Sequence, residues 1–179
     1  MEDRGKVESV FGNYGFIDFK WIDPKDIAIA QWVRTKCLFG CANYGKRVCC
    51  PPNVPSIPEC KQFFSEYATG VIFHFAKAFD KPEDHRGWAR EINQALLRAE
   101  RDVFLLGHEK AFLLPMSVCS LCEECTGVRE ECRNPKSARP TPESMGVDVY
   151  STARKHDFPI QVLADYSQTV NRYAFLLIE

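Results

Sequence analysis

The sequence predicts an α/β fold: a small mixed sheet with a βαβ crossover, helices on its faces, and two cysteine-rich loops beside it. Two observations lead to this prediction. Residues 71–75 and 111–114 are short apolar runs with the length and composition of buried strands, and a long stretch with helical periodicity separates them. A strand, a helix and a second strand in this order are typical of a crossover unit.

The helix between these runs is the clearest element of the sequence. Its apolar residues recur at three- and four-residue intervals and form one stripe: Trp88, Ile92, Ala95, Leu96, Ala99, Val103 and Leu106. Asp80 and Glu83 frame its start, and Gly107 is the expected stop. An earlier helix is predicted to begin at Ser56, because Ser56 and Glu59 have capping-box spacing.

Shorter elements are marked by caps and prolines. Asp23 precedes a proline and caps a predicted helix start, residues 141–143 begin a short helix, and Asp148 caps another. Near the end of the sequence, residues 159–164 and 172–179 are strand-like runs. They predict an antiparallel pair that closes the sheet.

The 179 residues show no internal repeat or linker, so residues 1–179 are predicted to form one domain, with residues 1–10 loosely ordered. The 23 basic and 24 acidic residues give a net charge of −1, which offers no basic surface to nucleic acid or an anionic membrane. No apolar run reaches the ~18 residues that span a bilayer. Since no secretory signal is visible, a cytoplasmic location is expected.

Nine cysteines are more than packing requires in a domain whose thiols stay reduced. Eight of them fall in two clusters, Cys37, Cys41, Cys49 and Cys50 in the first and Cys119, Cys122, Cys125 and Cys132 in the second. Scattered core cysteines would not bunch in this way, so the pattern favours metal binding. The ninth, Cys60, shares an apolar helix stripe with Phe63 and Phe64 and is expected in the core.

The second cluster has the spacing C-x2-C-x2-C, followed by a fourth cysteine. Cys119, Cys122 and Cys125 can wrap three corners of a cubane [4Fe–4S] cluster, as in bacterial ferredoxins. Cys132 could ligate this cluster or a neighbouring one. Zinc is the less favoured alternative, because structural zinc sites usually draw two ligands from each of two knuckles, and the four histidines show no knuckle spacing to any cysteine.

The first cluster lies in a glycine-punctuated segment that carries basic and no acidic residues. Cys37, Cys41 and Cys50 are predicted to ligate a second metal centre. Cys49 and Cys50 are adjacent and point in different directions in an extended chain, so only one is easily directed at a given metal. Either a fourth ligand comes from Cys49, Cys60 or Cys132, or one iron stays open and can act as a Lewis acid on a substrate.

Two further residues of this segment are candidates for contact with a bound cofactor or substrate. Tyr44 and Lys46 lie between Cys41 and Cys50 and could touch a ligand at an open iron. In the alternative interpretation Tyr44 packs over the cluster and keeps it dry, while Lys46 is solvated.

Two stretches together carry a resemblance to a known family. Residues 36–52 have the pattern K-C-x2-G-C-x2-Y-G-x4-C-P-P, and residues 119–152 begin with CSLCEECTGVREEC. Both resemble signatures of a family of uncharacterised, cysteine-rich predicted metal-binding proteins of anaerobic bacteria and archaea, and the similarity extends from about Gly15 onward. The resemblance implies metal binding and no assigned reaction. Its pattern matches these seven cysteines: Cys37, Cys41, Cys50, Cys119, Cys122, Cys125 and Cys132. Cys49 stands where the pattern has no cysteine.

The sequence therefore favours a cytoplasmic iron–sulfur protein with one or two [4Fe–4S] clusters that passes electrons to a redox partner protein. The alternatives are an enzyme whose open-iron, three-cysteine cluster binds a small molecule, and a zinc-stapled binding module. No catalytic residue is assigned, since the phosphate-loop and nucleophile-elbow motifs are both absent.

Overall fold

A four-stranded sheet forms the centre of the computed structural model, which describes residues 2–81, 83–165 and 168–179. Its strands are β1 (Phe19–Ile22), β2 (Gly70–Lys77), β3 (Phe112–Leu114) and β4 (Val170–Leu177), in the order β1-β2-β4-β3. The α/β class is confirmed. The sheet, predicted to be mixed, is antiparallel at each pairing of these four strands.

The predicted βαβ crossover is split by a third strand. β2 and β3 both pair antiparallel with β4, so they run in the same direction but do not touch. The apolar strand β4 occupies the place between them, which splits the predicted βαβ unit. Residues 159–164, predicted as a strand beside β4, lie outside the strands. Most of β4 is buried, and its neighbours are β2 and β3.

Five α-helices of the described chain surround the sheet: α1 (Glu2–Asn13), α2 (Gln31–Gly40), α3 (Ile57–Ser65), α4 (Asp84–Leu105) and α5 (Val149–Lys155). The capping box at Ser56 and the cap at Asp148 are both present. Residues 2–10, which the sequence left as loosely ordered, belong to α1, whose Val7 and Phe11 are fully buried; residue 1 lies outside the described residues. None of these helices is long and apolar enough to cross a membrane, within the part of the chain that the structure describes.

The sheet is covered on both faces because its apolar residues alternate. Val71 and Phe73 of β2 face a core that includes α1 and α4, whereas Ile72 faces a second core that includes α3 and α5. This three-layer arrangement leaves no room for the cysteine clusters inside the sheet packing. Apart from Cys37 in α2, the clustered cysteines lie on the connections between elements: residues 41–56, here called the first loop, and residues 115–142, here called the second loop.

Candidate metal centre

Helix α4 holds both ends of the second loop. Near the start of the loop, Asn93 donates its side-chain amide to the carbonyl oxygen of Ser117 at 3.1 Å and to its hydroxyl at 2.9 Å. Near the other end, Arg139 Nε donates to the buried Glu100 carboxylate at 2.8 Å. Glu100 also accepts from the backbone of Leu113 in β3 at 2.7 Å. The loop is thus tied to one rigid helix and one strand.

Helix α2 presents the first cysteines of the other loop. Cys37 lies in its last turn, and Cys41 follows its end, with the Cys41 amide donating to the Cys37 carbonyl at 3.3 Å. Arg34, one turn before Cys37, donates to the carbonyl of Pro55 at 3.0 Å and to that of Ser144 at 2.8 Å. These bonds fix α2 against the segments around it, and therefore fix the direction in which Cys37 points.

The two loops contact each other directly. Arg47 donates to the carbonyl of Cys119 at 2.9 Å. Asn53 donates from one amide nitrogen to the carbonyl of Arg47 at 3.2 Å and to that of Gly127 at 2.9 Å. Gly127 has a positive φ of 77°, and a Cβ there would lie 3.5 Å from the carbonyl oxygen of Lys46. At this point, where the loops meet, the glycine allows a backbone conformation that other residues rarely adopt.

Four cysteines pack together where the loops meet, and with Cys122 of the same second loop we call them the enclosed cysteine group: Cys49, Cys119, Cys122, Cys125 and Cys132. Cys49 is buried with Val48 and Ala138, and Cys119, Cys125 and Cys132 pack against these three residues. The sulfur of Cys125 accepts from the Val48 amide at 3.5 Å. The sulfur of Cys122 accepts from the Asn134 side chain at 3.1 Å. Polar hydrogens thus already point at the sulfurs of Cys122 and Cys125.

The electrostatics of the enclosed cysteine group favour one thiolate. A hydrogen bond with Cys49 lowers the pKa of Cys119, and Arg47 and Arg129 act in the same direction. The pKa of Cys49 is raised, first by this hydrogen bond and second by its burial. Because thiolates are the form that binds iron and zinc, Cys119 is the member best prepared for a metal.

Three other cysteines, Cys37, Cys41 and Cys50, form what we call the cavity cysteine group, because all three line one cavity of about 520 Å³. Burial raises the pKa of Cys50 to about 11, and the nearby Cys41 and Cys37 add to the rise. Burial also raises the pKa of Cys37, with Cys41 and Glu143 contributing. Sulfurs that oppose each other's ionisation converge on one place, and a bound cation would remove that repulsion.

The dipeptide Cys49–Cys50 joins the two groups. Cys49 belongs to the enclosed cysteine group and Cys50 to the cavity cysteine group, so the two side chains serve different sites, as the sequence predicted for adjacent residues. Their Cα atoms are separated by one peptide unit, about 3.8 Å. Any metals held by the two groups are therefore close neighbours.

The structure brings six of the seven predicted ligands into these two sets of contacts, while Cys122 lies in the same loop as three of them, and the role of all seven as ligands stays a prediction. It adds Cys49, which the sequence left unassigned, to the enclosed cysteine group. Cys60 is fully buried in the core, which confirms its predicted place, with its sulfur 3.4 Å from the Pro55 carbonyl. Tyr44 lines the cavity beside the cavity cysteine group. Lys46 is exposed.

The far wall of the cavity holds residues that sequence reasoning missed. His85 and Arg86 come from the first turn of α4, and Arg172 comes from β4. No motif marks them, since they are separated from the cysteines by long stretches of chain. On the other side of Cys37 and Cys41 lies a wider groove of about 1200 Å³, with Trp32 and Phe39 in its wall.

The spacing of the sulfurs bears on the kind of metal. A tetrahedral zinc site with zinc–sulfur bonds of about 2.3 Å brings its sulfurs to roughly 3.8 Å from each other. Within the described residues, no three cysteine sulfurs lie within 4.8 Å of one another. A cubane places each thiolate on a separate iron and so suits a wider spacing.

Comparison with known protein families gives one match. A family model described as "Predicted metal-binding protein (DUF2284)" matches residues 20–178, a span that contains both loops and β1 to β4 apart from the first residue of β1. No curated protein and no solved structure matches the chain.

Proposed function

The chain belongs to the DUF2284 family of predicted metal-binding proteins, and on that premise we propose that it is an iron–sulfur protein with two [4Fe–4S] clusters that transfers electrons. The observation that carries the proposal is the Cys49–Cys50 dipeptide, which contributes one cysteine to each group. Because Cys49 packs against one group and the next residue, Cys50, belongs to the other, clusters held by the two groups would be neighbours close enough to exchange electrons.

In this proposal Cys119, Cys122, Cys125 and Cys132 hold one cluster, and Cys37, Cys41 and Cys50 hold three irons of the other. When bound, the clusters accept and donate single electrons, and an iron without a protein thiolate is a Lewis acid. Cys49 would remain beside the first cluster as a hydrogen-bond donor to the sulfur of Cys119.

The chain's own residues adjust the enclosed cysteine group for electron transfer. Val48, Cys49 and Ala138 are buried and exclude water from one side of it. The Val48 amide and the Asn134 side chain donate to sulfurs of Cys125 and Cys122. Hydrogen bonds to sulfur and exclusion of solvent are two of the factors that set the reduction potential of a cluster.

The redox partner protein is part of the proposal, and we place both proteins in the cytoplasm. The wide groove beside Cys37 and Cys41 is the surface that suits its docking. Phe39 is 82 % exposed and Trp32 is 47 % exposed, although both are large apolar side chains. Exposed apolar surface of this kind marks interaction sites, and Cys41 is itself exposed beside it.

A second candidate function is an enzyme that uses the open iron on a small substrate. The cavity favours it, because about 520 Å³ of space faces the three-cysteine site and no such space is needed for electron transfer alone. The two functions are compatible in one chain, since the enclosed cluster could supply electrons to the open one.

The test is anaerobic purification followed by analysis of iron, acid-labile sulfide and zinc. We expect a brown protein with about eight irons and eight sulfides per chain, the content of two cubanes. In electron paramagnetic resonance of the reduced protein, we expect an axial signal from one cluster. The signal of the second cluster is expected to change when small molecules are added. A colourless, folded protein with stoichiometric zinc would contradict the proposal.

A further inference from the structure

The cavity beside Cys37, Cys41 and Cys50 has two chemically different walls. The cysteines form one wall. The other wall holds His85 and Arg86 from α4 and Arg172 from β4. The cavity has a volume of about 520 Å³, which is that of a small-molecule site. The N-terminal turn of the 22-residue helix α4 opens onto the cavity as well, and a helix N-terminus favours negative charge.

Arg172 is held in place by a neutral partner. Its Nε donates to Nε2 of His85 at 3.3 Å, so that nitrogen of His85 carries no proton. The His85 ring is fixed in turn by edge contacts with Phe79 and Trp88, at centroid distances of 5.5 and 5.7 Å. This arrangement orients the guanidinium of Arg172, which lines the cavity.

Among the described residues, no carboxylate lies within ion-pair distance of Arg86 or Arg172. Glu143 lies in the same cavity but acts on Cys37, whose pKa it helps to raise. A third guanidinium, that of Arg47, is already bonded to Asn43 and to the Cys119 carbonyl.

We infer that this cavity binds a small molecule with a carboxylate or phosphoryl group, whose oxygens are held by Arg172 and Arg86. The planar guanidinium with its two Nη groups suits an oxyanion with two oxygens, and the α4 N-terminus adds a favourable field. The hydroxyls of Ser117, Ser120 and Thr141 lie in the same cavity and supply further donors. The rest of the ligand extends towards the cysteine wall. That this ligand is a substrate rests on the proposed function, whereas the anion site itself does not.

The test measures anion binding by the anaerobically purified, metal-loaded protein with isothermal titration calorimetry at fixed ionic strength. The probes are sodium malonate and inorganic phosphate, with glycerol as the neutral control. We expect millimolar or tighter binding of at least one anion and none of glycerol. The anion that binds more tightly identifies the carboxylate or the phosphoryl group as the preferred ligand. Equal binding of all three, or of none, would overturn the inference.

Variants of the two arginines test whether the anion binds in this cavity. Arg172→Gln is expected to weaken anion binding at least tenfold, and Arg86→Gln several-fold. Arg101→Gln is the matched control, because Arg101 is exposed on the same helix about four turns beyond Arg86, roughly 22 Å along the axis. If Arg172→Gln does not fold, Arg86→Gln and Arg172→Lys carry the test, since Lys keeps the charge but lacks the planar fork. Unchanged affinity in Arg86→Gln and either Arg172 variant would exclude the site.

Iron and sulfide analysis of the same samples separates the two proposals. Anion binding that depends on Arg172 in a protein without iron–sulfur clusters would support the anion site and contradict the proposed function. A protein that contains the clusters but binds no anion would support the proposed function and contradict the anion site. With clusters present, malonate or phosphate is expected to change the electron paramagnetic resonance spectrum of wild type and of Arg101→Gln, but not of Arg172→Gln.

Discussion

The enclosed cysteine group and the cavity cysteine group use the same ligand chemistry in opposite surroundings. The enclosed group draws five cysteines from two loops, and Cys49 is buried against apolar neighbours. The cavity group draws its three cysteines from the single segment 37–50, and one of them, Cys41, is exposed. In the proposed function this difference separates two roles: the enclosed group exchanges electrons alone, whereas the cavity group can also meet a molecule.

The largest effect is expected when the enclosed group loses a ligand. Cys125→Ala should remove about half of the iron, and it should lower the melting temperature by roughly 10 °C. The reason is that a metal centre held by cysteines of both loops would tie the loops together, and binding of such a metal contributes directly to folding. Iron analysis and thermal unfolding under anaerobic conditions measure both. Full iron content in this variant would show that Cys125 is not a ligand.

A comparison of two variants within the enclosed group identifies its fourth ligand. Cys132→Ala is expected to lose the iron of that group. Cys49→Ala should keep it and lose about 1–2 kcal/mol of stability, because a buried side chain and its hydrogen bond to Cys119 are removed. The opposite result, iron lost in Cys49→Ala and kept in Cys132→Ala, would assign the ligand to Cys49.

In the cavity group, loss of one cysteine should lower the metal content strongly and the stability only slightly. Cys41→Ala is expected to lose the iron of the cavity group while the free energy of unfolding falls by less than ~1 kcal/mol, since surface substitutions cost little. Electron paramagnetic resonance should still show the other cluster. Loss of both clusters would mean that the two groups form one centre, and the comparison between them would fail.

The smallest effect is expected outside both groups. Cys60→Ala should keep the full metal content and lose about 1 kcal/mol, because the side chain is fully buried and a small cavity remains. It is the matched control for the other cysteine variants. A loss of iron in Cys60→Ala would place Cys60 among the ligands and break the distinction between core and site.

Local signals in the sequence were enough for several parts of this structure. The capping box at Ser56, the cap at Asp148 and the stripe of α4 depend on residues a few positions apart, and the structure contains all three. The two cysteine groups could be anticipated because their spacing is also local. Membership of Cys49 could not be decided, because it depends on contacts with the second loop, which lies beyond β2, α4 and β3 in the chain.

Long-range pairing explains what the sequence left unpredicted. Strand directions follow from β4, which lies between β2 and β3 although it comes last in the chain. Arg172 reaches the cavity only because β4 occupies that place, and its nearest cysteine in sequence is Cys132. Residues 1–10 look polar, yet Val7 and Phe11 are spaced four apart and bury one face of α1 against the sheet.

The Cys49–Cys50 dipeptide also sets an order of events during protein synthesis. Cys50 completes the cavity group, whereas the enclosed group needs Cys132, which is translated only after β2, α4 and β3. At roughly 5–20 residues per second, that interval is on the order of ten seconds. Until Cys119 is made, the ribosome carries a chain with all three cysteines of the cavity group and only Cys49 of the enclosed group. In the proposed function, iron delivered to the nascent chain therefore meets the cavity group first.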